Sequence, residues 1–270
     1  MTSAVLAISR LFVCAGWTVL LLPIQALAVG LRLPLARRVP MLYHRGCLTI
    51  MGLRVERHGR ISRTQPTLFV SNHTSYLDIT ILGALIPGSF VAKEEVASWP
   101  VFGLLARLQR SVFVERRSDR ASCSRDEMAG RLEAGDNLIL FPEATSSDGN
   151  RVLPFKSALF GVAESSVRGA PLTVQPVSVA YSKLGNLPMG RHMRPFFAWY
   201  GDMDLLGHLW RALGLAPATV VVRFHPPVTI DRTGSRKALA VYCYEAVAAG
   251  VSEAINGRPP AAPRPAEAAQ

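Results

Sequence analysis

Residues 67–78 read TLFVSNHTSYLD, an apolar run followed by a polar turn and the start of a helical pattern. The apolar run 67–71 predicts a buried strand, and the residues from 75 to about 85 predict a helix. Polar side chains fill the turn between them. In open α/β sheets ligands bind at the carboxyl ends of strands, so this turn is a candidate functional site.

Within this turn, His73 and Asp78 are the two residues suited to acid–base chemistry. On one continuous helix a spacing of five places side chains about 140° apart, and they would not meet. If His73 lies in the turn and Asp78 in the first helical turn, the two converge. Asp78 would then hold the Nδ1–H group and leave Nε2 free to accept a proton. The alternative is a capping box of Ser75 and Asp78, with His73 an ordinary turn residue.

Outward from this stretch, apolar strand-like segments alternate with helix-like segments. The predicted strands are 67–71, 89–92, 111–114, 137–141, 173–181 and 219–224. The predicted helices are 75–85, 94–108, 119–134, 155–167 and 235–255. Such alternation predicts an α/β fold with a mostly parallel central sheet and helices on both faces.

The N-terminal segment 1–40 is expected to be a hydrophobic, helical membrane anchor. Residues 11–31 carry no charge, and about 20 apolar residues suffice to cross a bilayer core. Three interpretations remain open: a signal peptide cleaved after residues 26–28, a spanning helix, or a one-leaflet anchor bent at Pro23. Arginine is more frequent after the run than before it, which favours a cytoplasmic location for the following domain. At the other end, the Pro- and Ala-rich residues 257–270 are predicted to be a disordered tail.

The composition points to a membrane surface as the partner. The net charge is +11 and 49% of the 270 residues are hydrophobic. A basic surface favours either nucleic acid or anionic lipid, and the sequence contains no nucleic-acid-binding motif. We therefore expect membrane lipids and no nucleic acid as partners. The four scattered cysteines have no metal-ligand spacing, so neither a metal nor a bound cofactor is expected.

Four motifs, in order, resemble the lysophosphatidic acid (1-acyl-sn-glycerol-3-phosphate) acyltransferase family of the glycerolipid acyltransferase superfamily. The first, N-H-x-x-x-x-D, is met by Asn72, His73 and Asp78. The second, an apolar strand ending in arginine, corresponds to residues 112–116, with Lys93 and Gly103 upstream. The third, F-P-E-G-T-R, corresponds to 141–146 (FPEATS), and the fourth, a V-P-V-like strand, to 175–177 (QPV). The resemblance spans about residues 40–230.

The resemblance implies that residues 41–256 form an acyltransferase domain. This domain would transfer a fatty acyl chain from acyl carrier protein or coenzyme A, as co-substrate, onto the free hydroxyl of a lysolipid. His73 would be the general base with Asp78 as its partner, and the backbone N–H groups after His73 would be candidate oxyanion donors. Four residues are candidates for substrate binding: Arg116, Glu143, Thr145 and Lys156. Three others would shape the motifs: Asn72, Pro142 and Pro176.

Most substrate-binding assignments have a structural alternative. Arg116 would pair with a phosphate or carboxylate of the acceptor, or lie on the surface. Glu143 would bind acceptor hydroxyls or hold its loop in place, and Thr145 would also shape that turn. Lys156 would contact phosphate or be a solvated residue at the start of a helix. Tryptophans such as Trp99 and Trp199 are expected in the core or at the bilayer interface.

Two departures from the family pattern concern the acceptor. Ala144 replaces a glycine, so a positive φ there would be strained. Ser146 replaces an arginine that the family associates with the acceptor's phosphate. The segments 147–151 and 154–157 also resemble a branch that acylates other lysolipids, including lyso-ornithine lipid and lysophosphatidylcholine. The first expectation is 1-acyl-sn-glycerol-3-phosphate, giving phosphatidic acid; lyso-ornithine lipid or another lysophospholipid is the alternative.

Two different classes of function remain as rivals. One is a catalytically inactive, membrane-anchored lipid-binding homologue, which the intact His73 and Asp78 argue against. The other is a secreted hydrolase, suggested by the signal-like N-terminus. The sequence has no G-x-S-x-G nucleophile elbow, which disfavours the hydrolase.

Overall fold

A computed structural model describes residues 2–114 and 121–257, and these residues form one α/β domain with a long N-terminal helix. The α-helices are α1 (Ala4–Gly30), α2 (Val39–Met51), α3 (Leu77–Leu85), α4 (Phe102–Leu108), α5 (Ala121–Glu133), α6 (Leu205–Gly214), α7 (Ile230–Thr233) and α8 (Arg236–Ile255). The strands are β1 (Leu53–His58), β2 (Thr67–Ser71), β3 (Gly88–Lys93), β4 (Val112–Val114), β5 (Asn137–Leu140), β6 (Ser166–Val167), β7 (Ala170–Pro171), β8 (Thr173–Leu184), β9 (Leu187–Pro188) and β10 (Ala218–Phe224).

The central sheet is mostly parallel, as the alternation of strands and helices predicted. Its strand order is β1-β10-β8-β2-β5-β3-β4, with β9 paired to β8. The antiparallel pairings are β10 with β8 and β8 with β9. Val70 in β2 is level with Leu140 in β5 and Pro176 in β8. The carboxyl ends of β2 and β5 therefore lie side by side, which brings the first and third motifs to the same edge of the sheet.

The core lies on both faces of the sheet, which β2 shows most directly. Side chains alternate across a strand, and Phe69 faces a cluster formed with α2 and α3. Leu68 and Val70 face the other cluster, formed with α5 and α8. All three residues are fully buried. The predicted coverage of both sheet faces by helices is confirmed.

Two predicted helices differ from the structure. The segment 94–108 is a 3₁₀ helix at Glu94–Ser98 followed by α4, because Pro100 interrupts the backbone hydrogen-bond ladder between them. The segment 155–167 is a 3₁₀ helix at Ser157–Glu164, and its end, Ser166–Val167, pairs as a strand with Ala170–Pro171. Short 3₁₀ segments serve as connectors. Both differences lie outside the central strands.

The N-terminal helix α1 lies against the domain along its length. Near its start, the buried Arg10 donates to the backbone oxygens of Leu213 (2.9 Å) and Leu215 (2.8 Å). In its middle, the Trp17 indole donates to the Tyr43 oxygen of α2 (3.0 Å). Near its end, the Gln25 amide donates to the backbone oxygens of residues 36 and 108. The helix continues through Pro23 and through the cleavage-like residues 26–28 without a break.

By length and composition, both α1 and α8 qualify as membrane-crossing helices. The buried residues of α8 belong to the core clusters, so this helix covers the sheet. In contrast, α1 exposes large apolar side chains such as Val5, Phe12 and Val19. Of the predicted C-terminal tail, residues 258–270 lie outside the described residues.

Candidate active site

The turn after β2 is fixed to the neighbouring strand by the side chain of Asn72. This buried amide donates to the Val179 oxygen (2.9 Å) and accepts from the Val179 N–H (2.8 Å). The two bonds continue the pairing of β2 with β8 one residue beyond the last backbone pair, Ser71 with Val177. Asn72 therefore sets the position from which His73 leaves the sheet.

His73 and Asp78 converge as predicted from their placement in the turn and the helix. His73 Nδ1 lies 3.1 Å from Asp78 Oδ2, with Asp78 fully buried and the His73 side chain 20% exposed. The His73 ring stacks on Phe141, with ring centroids 4.1 Å apart. The carboxylate fixes Nδ1 as the donor, which leaves Nε2 as the nitrogen able to accept a proton.

Asp78 also performs the capping role of the alternative interpretation. Its Oδ2 atom accepts from the N–H groups of Thr74 (2.6 Å) and Ser75 (2.8 Å). Asp78 therefore caps the start of α3 and also contacts His73, and the general-base role of His73 stays a prediction. The expected use of the N–H groups after His73 as oxyanion donors is wrong for these two, because the carboxylate already occupies them.

A contact that the sequence did not predict completes the surroundings of Asp78. The Tyr181 hydroxyl, on β8, donates to Oδ1 of Asp78 at 2.9 Å. Burial, together with the nearby charge of Asp78, raises the pKa of Tyr181 well above its ordinary value, so the hydroxyl keeps its proton. Both oxygens of the carboxylate are thus hydrogen-bonded, and its orientation toward His73 is fixed.

Glu143 holds the loop after β5 against the His73 turn. Its carboxyl accepts from the N–H of His73 (3.0 Å) and from the N–H of Leu153 (3.1 Å), and the residue is 2% exposed. Burial raises the pKa of Glu143 to about 8. These contacts favour the loop-holding alternative over a direct contact with acceptor hydroxyls. Pro142 supports the same loop, because its oxygen accepts from the Lys156 N–H at 2.8 Å.

The residues that depart from the family pattern lie in this loop. Ala144 has a φ of 62°, the left-handed conformation that a glycine adopts without strain. The hydroxyl of Ser146 donates to the backbone oxygen of Trp199. Trp199 in turn donates its own N–H to the Thr74 oxygen at 3.0 Å, directly beside His73. The sequence did not assign Trp199 to the site, because neither contact is readable from residue spacing.

A cavity of about 1060 Å³ is lined by His73 and by residues of α1 and α2. Much of the rest of its lining is apolar and comes from α1, β3 and α4, with side chains such as Leu21, Phe90 and Leu105. Thr145 and Lys156, both predicted to bind substrate, also line it. Pro176 is buried in β8, level with Val70. Arg116 lies outside the described residues, so its role stays a prediction. Within the described ranges, no cluster of His, Cys, Asp and Glu suits a metal ion.

Comparison with known proteins supports the acyltransferase assignment that the four motifs indicated. A family model described as Acyltransferase matches residues 52–180. The chain is 45% identical to the lyso-ornithine lipid O-acyltransferase of Brucella abortus, over 88% of this chain and 91% of that protein. It is 40% identical to the protein of that name from Rhizobium meliloti (89% and 84%). It is 32% identical to the 1-acyl-sn-glycerol-3-phosphate acyltransferase of Neisseria meningitidis (77% and 79%).

A solved structure shares the fold. The crystal structure of the 1-acyl-sn-glycerophosphate (LPA) acyltransferase from Thermotoga maritima aligns with a TM-score of 0.66 at 23% identity, covering 95% of this chain and 97% of that one. The relatives confirm the family that the four motifs indicated. The chain belongs to the lysophosphatidic acid (1-acyl-sn-glycerol-3-phosphate) acyltransferase family of the glycerolipid acyltransferase superfamily and is an O-acyltransferase of lysolipids.

Proposed function

We propose that this enzyme acylates the free hydroxyl of lyso-ornithine lipid, using acyl carrier protein or coenzyme A thioesters, with His73 as the general base. The observation that supports the reaction is the 3.1 Å contact of His73 Nδ1 with Asp78, where His73 lines a large cavity. The many apolar side chains of this cavity match the chemistry of a fatty acyl chain.

In the proposed reaction, Nε2 of His73 takes the proton of the acceptor hydroxyl as its oxygen bonds to the thioester carbonyl carbon. The carbon–sulfur bond then breaks, and the imidazolium returns the proton to the departing thiolate. Asp78 stabilises the imidazolium between these steps, because its charge is held against Nδ1. General-base help of this kind contributes about 10²–10⁴-fold.

The acceptor is the finer part of the proposal, and Ser146 supports it. An arginine at this position would offer a bidentate donor to a phosphate monoester, whereas Ser146 spends its hydroxyl on the Trp199 oxygen. The relatives at 38–45% identity are named lyso-ornithine lipid O-acyltransferases. The sequence alone led us to expect 1-acyl-sn-glycerol-3-phosphate first, and it remains the second candidate, because basic side chains also line the cavity: Lys93, Arg125, Lys156 and Arg236.

For membrane attachment, we propose that α1 lies in one leaflet on the cytoplasmic side. Its contacts with the domain run from Arg10 to Gln25, so the helix does not separate from the domain to cross a bilayer. Its opposite side exposes apolar residues suited to the acyl boundary of a leaflet. The arginines that follow α1, including Arg32 and Arg37, favour the cytoplasmic face.

The test is an acyl-transfer assay on membranes that contain the full chain. It offers lyso-ornithine lipid, 1-acyl-sn-glycerol-3-phosphate and lysophosphatidylcholine in parallel, each with acyl carrier protein and coenzyme A thioesters. We expect the highest kcat/KM for lyso-ornithine lipid, and no transfer by the His73→Ala variant above background. A preference for 1-acyl-sn-glycerol-3-phosphate would overturn the acceptor and keep the reaction class. Absence of transfer to every acceptor would favour the inactive homologue.

A further inference from the structure

Trp199 is held rigidly beside the catalytic turn. Its N–H donates to the Thr74 oxygen (3.0 Å), its oxygen accepts the Ser146 hydroxyl, and its indole donates to the Met203 oxygen (2.8 Å). The residue that replaces the family's phosphate-associated arginine is therefore bonded to an aromatic residue next to His73. Ser146 and Trp199 both line the cavity, so the position of the missing cation and the indole ring belong to the same site.

Trp99 and Trp199 form a right-angled tryptophan corner in the cavity wall. Their ring centroids are 5.9 Å apart with an interplanar angle of 89°, and both residues line the cavity. Tyr76 lies against the same ring of Trp199, with centroids 6.2 Å apart. Indole faces carry the negative side of the ring quadrupole and attract cations, most strongly when the cation is shielded from water. Both tryptophans are partly buried, so the corner offers such shielding.

One carboxylate lines the same cavity as the corner. Glu95 lies four residues before Trp99 and is the acidic side chain among the described residues that line the cavity. The same lining has the basic side chains of Lys93, Arg125, Lys156 and Arg236. The cavity therefore offers groups that suit a cation and groups that suit an anion. An ornithine headgroup carries both charges, since its side-chain ammonium and its carboxylate are free when the α-amine is acylated.

We propose that the tryptophan corner, together with Glu95, is a subsite for the side-chain ammonium of the acceptor's ornithine headgroup. The assignment rests on the proposed acceptor. It revises the sequence-based expectation that Trp99 and Trp199 belong to the core or to the bilayer interface. The indole rings and the Glu95 carboxylate attract the headgroup ammonium, whereas an arginine in place of Ser146 would repel it. This difference gives the specificity for the acceptor. The carboxylate of the headgroup lies toward Lys156.

The experiment compares three acceptors with full-length enzyme in membranes: lyso-ornithine lipid, the same lipid with its side-chain amine acetylated, and 1-acyl-sn-glycerol-3-phosphate. Acetylation removes the positive charge and keeps the acceptor hydroxyl. The variants are Trp99→Leu and Glu95→Gln. Trp210→Leu is the matched control, since Trp210 is an exposed tryptophan of α6 that does not line the cavity.

We expect wild-type kcat/KM to fall about tenfold on acetylation, and Trp99→Leu and Glu95→Gln each to lower it about five- to tenfold for lyso-ornithine lipid alone. For the other two acceptors, the kcat/KM of both variants should stay within about twofold of wild type. The kcat/KM of Trp210→Leu should do so for all three acceptors. Equal losses on every acceptor would mean a structural role and overturn the subsite. If acetylation left the wild-type kcat/KM unchanged, the subsite would be overturned and the acceptor assignment would stand. A wild type that acylates 1-acyl-sn-glycerol-3-phosphate and not lyso-ornithine lipid would overturn the acceptor assignment and the subsite with it.

Discussion

Nδ1 of His73 lies 3.1 Å from Oδ2 of Asp78, although five residues separate them in the chain. The contact forms because His73 belongs to the turn and Asp78 to the first turn of α3. We expect His73→Ala to lower acyl transfer at least about a hundredfold, since the acceptor hydroxyl loses its base. Steady-state kinetics measures this loss, with a melting curve to confirm the fold. Activity within about threefold of wild type, with an unchanged melting temperature, would dismiss the mechanism.

Asp78→Asn is the companion variant. An asparagine cannot neutralise the imidazolium. Its NH₂ group would also face at least one hydrogen-bond donor that now bonds to Asp78, either the Tyr181 hydroxyl or the Thr74 N–H. We expect a severe loss of kcat and a lower melting temperature. Tyr181→Phe should have a weaker effect of the same direction, because it removes one hydrogen bond and leaves the charge.

The parts of the fold that the sequence predicts are those with strong local patterns. The run 67–71 is buried on both faces, and its end coincides with the end of β2. The edge strand β1 was not predicted, because LRVERH carries too many charges for a buried strand. It is a strand because it pairs in parallel with β10, residue 53 level with residue 218. Its partner is far away in the sequence, so no local signal marks the strand.

The residues of the site also differ in how far the sequence alone predicts them. His73 and Asp78 are readable from a short spacing. Tyr181 has a weaker signal, since alternation along β8 from Val177 places it on the face that α3 covers. Trp199 has none, because its contacts with Thr74 and Ser146 depend on how the long segment after β9 folds back.

Glu143 makes stability depend on pH. Burial raises its pKa to about 8 in the folded protein, from 4.5 ordinarily. The folded state therefore holds its proton more tightly, so this stabilisation is complete below about pH 4.5 and is lost as pH rises through about 8. We expect the melting temperature to fall between about pH 5 and pH 8 more steeply in wild type than in Glu143→Gln. Parallel melting curves for the two proteins across that range would show that Glu143 does not titrate there.

Ala144 sits in a conformation that costs an L-residue about 1–2 kcal/mol. Glycine would remove that strain and lose about 0.4–1 kcal/mol through the greater freedom of the unfolded chain. Ala144→Gly should therefore raise the free energy of unfolding by up to about 1.6 kcal/mol. The matched control is Ala249→Gly on the exposed side of α8, which should lower it by about 0.5–1 kcal/mol. Denaturant unfolding measures both free energies. If the two variants lost equal amounts of stability, Ala144 would not be strained.

The exposed side of α1 should carry the attachment to membranes. Phe12 is 73% exposed and Leu20 58% exposed, so most of each side chain faces away from the rest of the protein. We expect Phe12→Glu combined with Leu20→Glu to weaken binding to anionic vesicles about tenfold or more, with an unchanged melting temperature. Deleting residues 1–38 is a poorer test, because it also removes the bonds of Arg10 to the domain. Val241→Glu, an exposed position on α8 across the sheet, is the control. Recovery of the wild type entirely in a low-salt soluble fraction would contradict the anchor.

Ser146→Arg should shift acceptor preference toward 1-acyl-sn-glycerol-3-phosphate. The new guanidinium would line the cavity beside Thr145, where it gives a phosphate monoester a charged hydrogen bond worth about 1.5–3 kcal/mol. That corresponds to a ten- to hundredfold rise in the kcat/KM ratio of 1-acyl-sn-glycerol-3-phosphate over lyso-ornithine lipid, about tenfold per 1.4 kcal/mol. Ser146→Ala is the control, because it removes the hydroxyl bond to Trp199 without adding charge. Trp199 keeps its bonds to Thr74 and Met203, so this control should leave the ratio near that of wild type. If the wild type used 1-acyl-sn-glycerol-3-phosphate alone and Ser146→Arg left the ratio unchanged, the missing charge would have no bearing on headgroup choice.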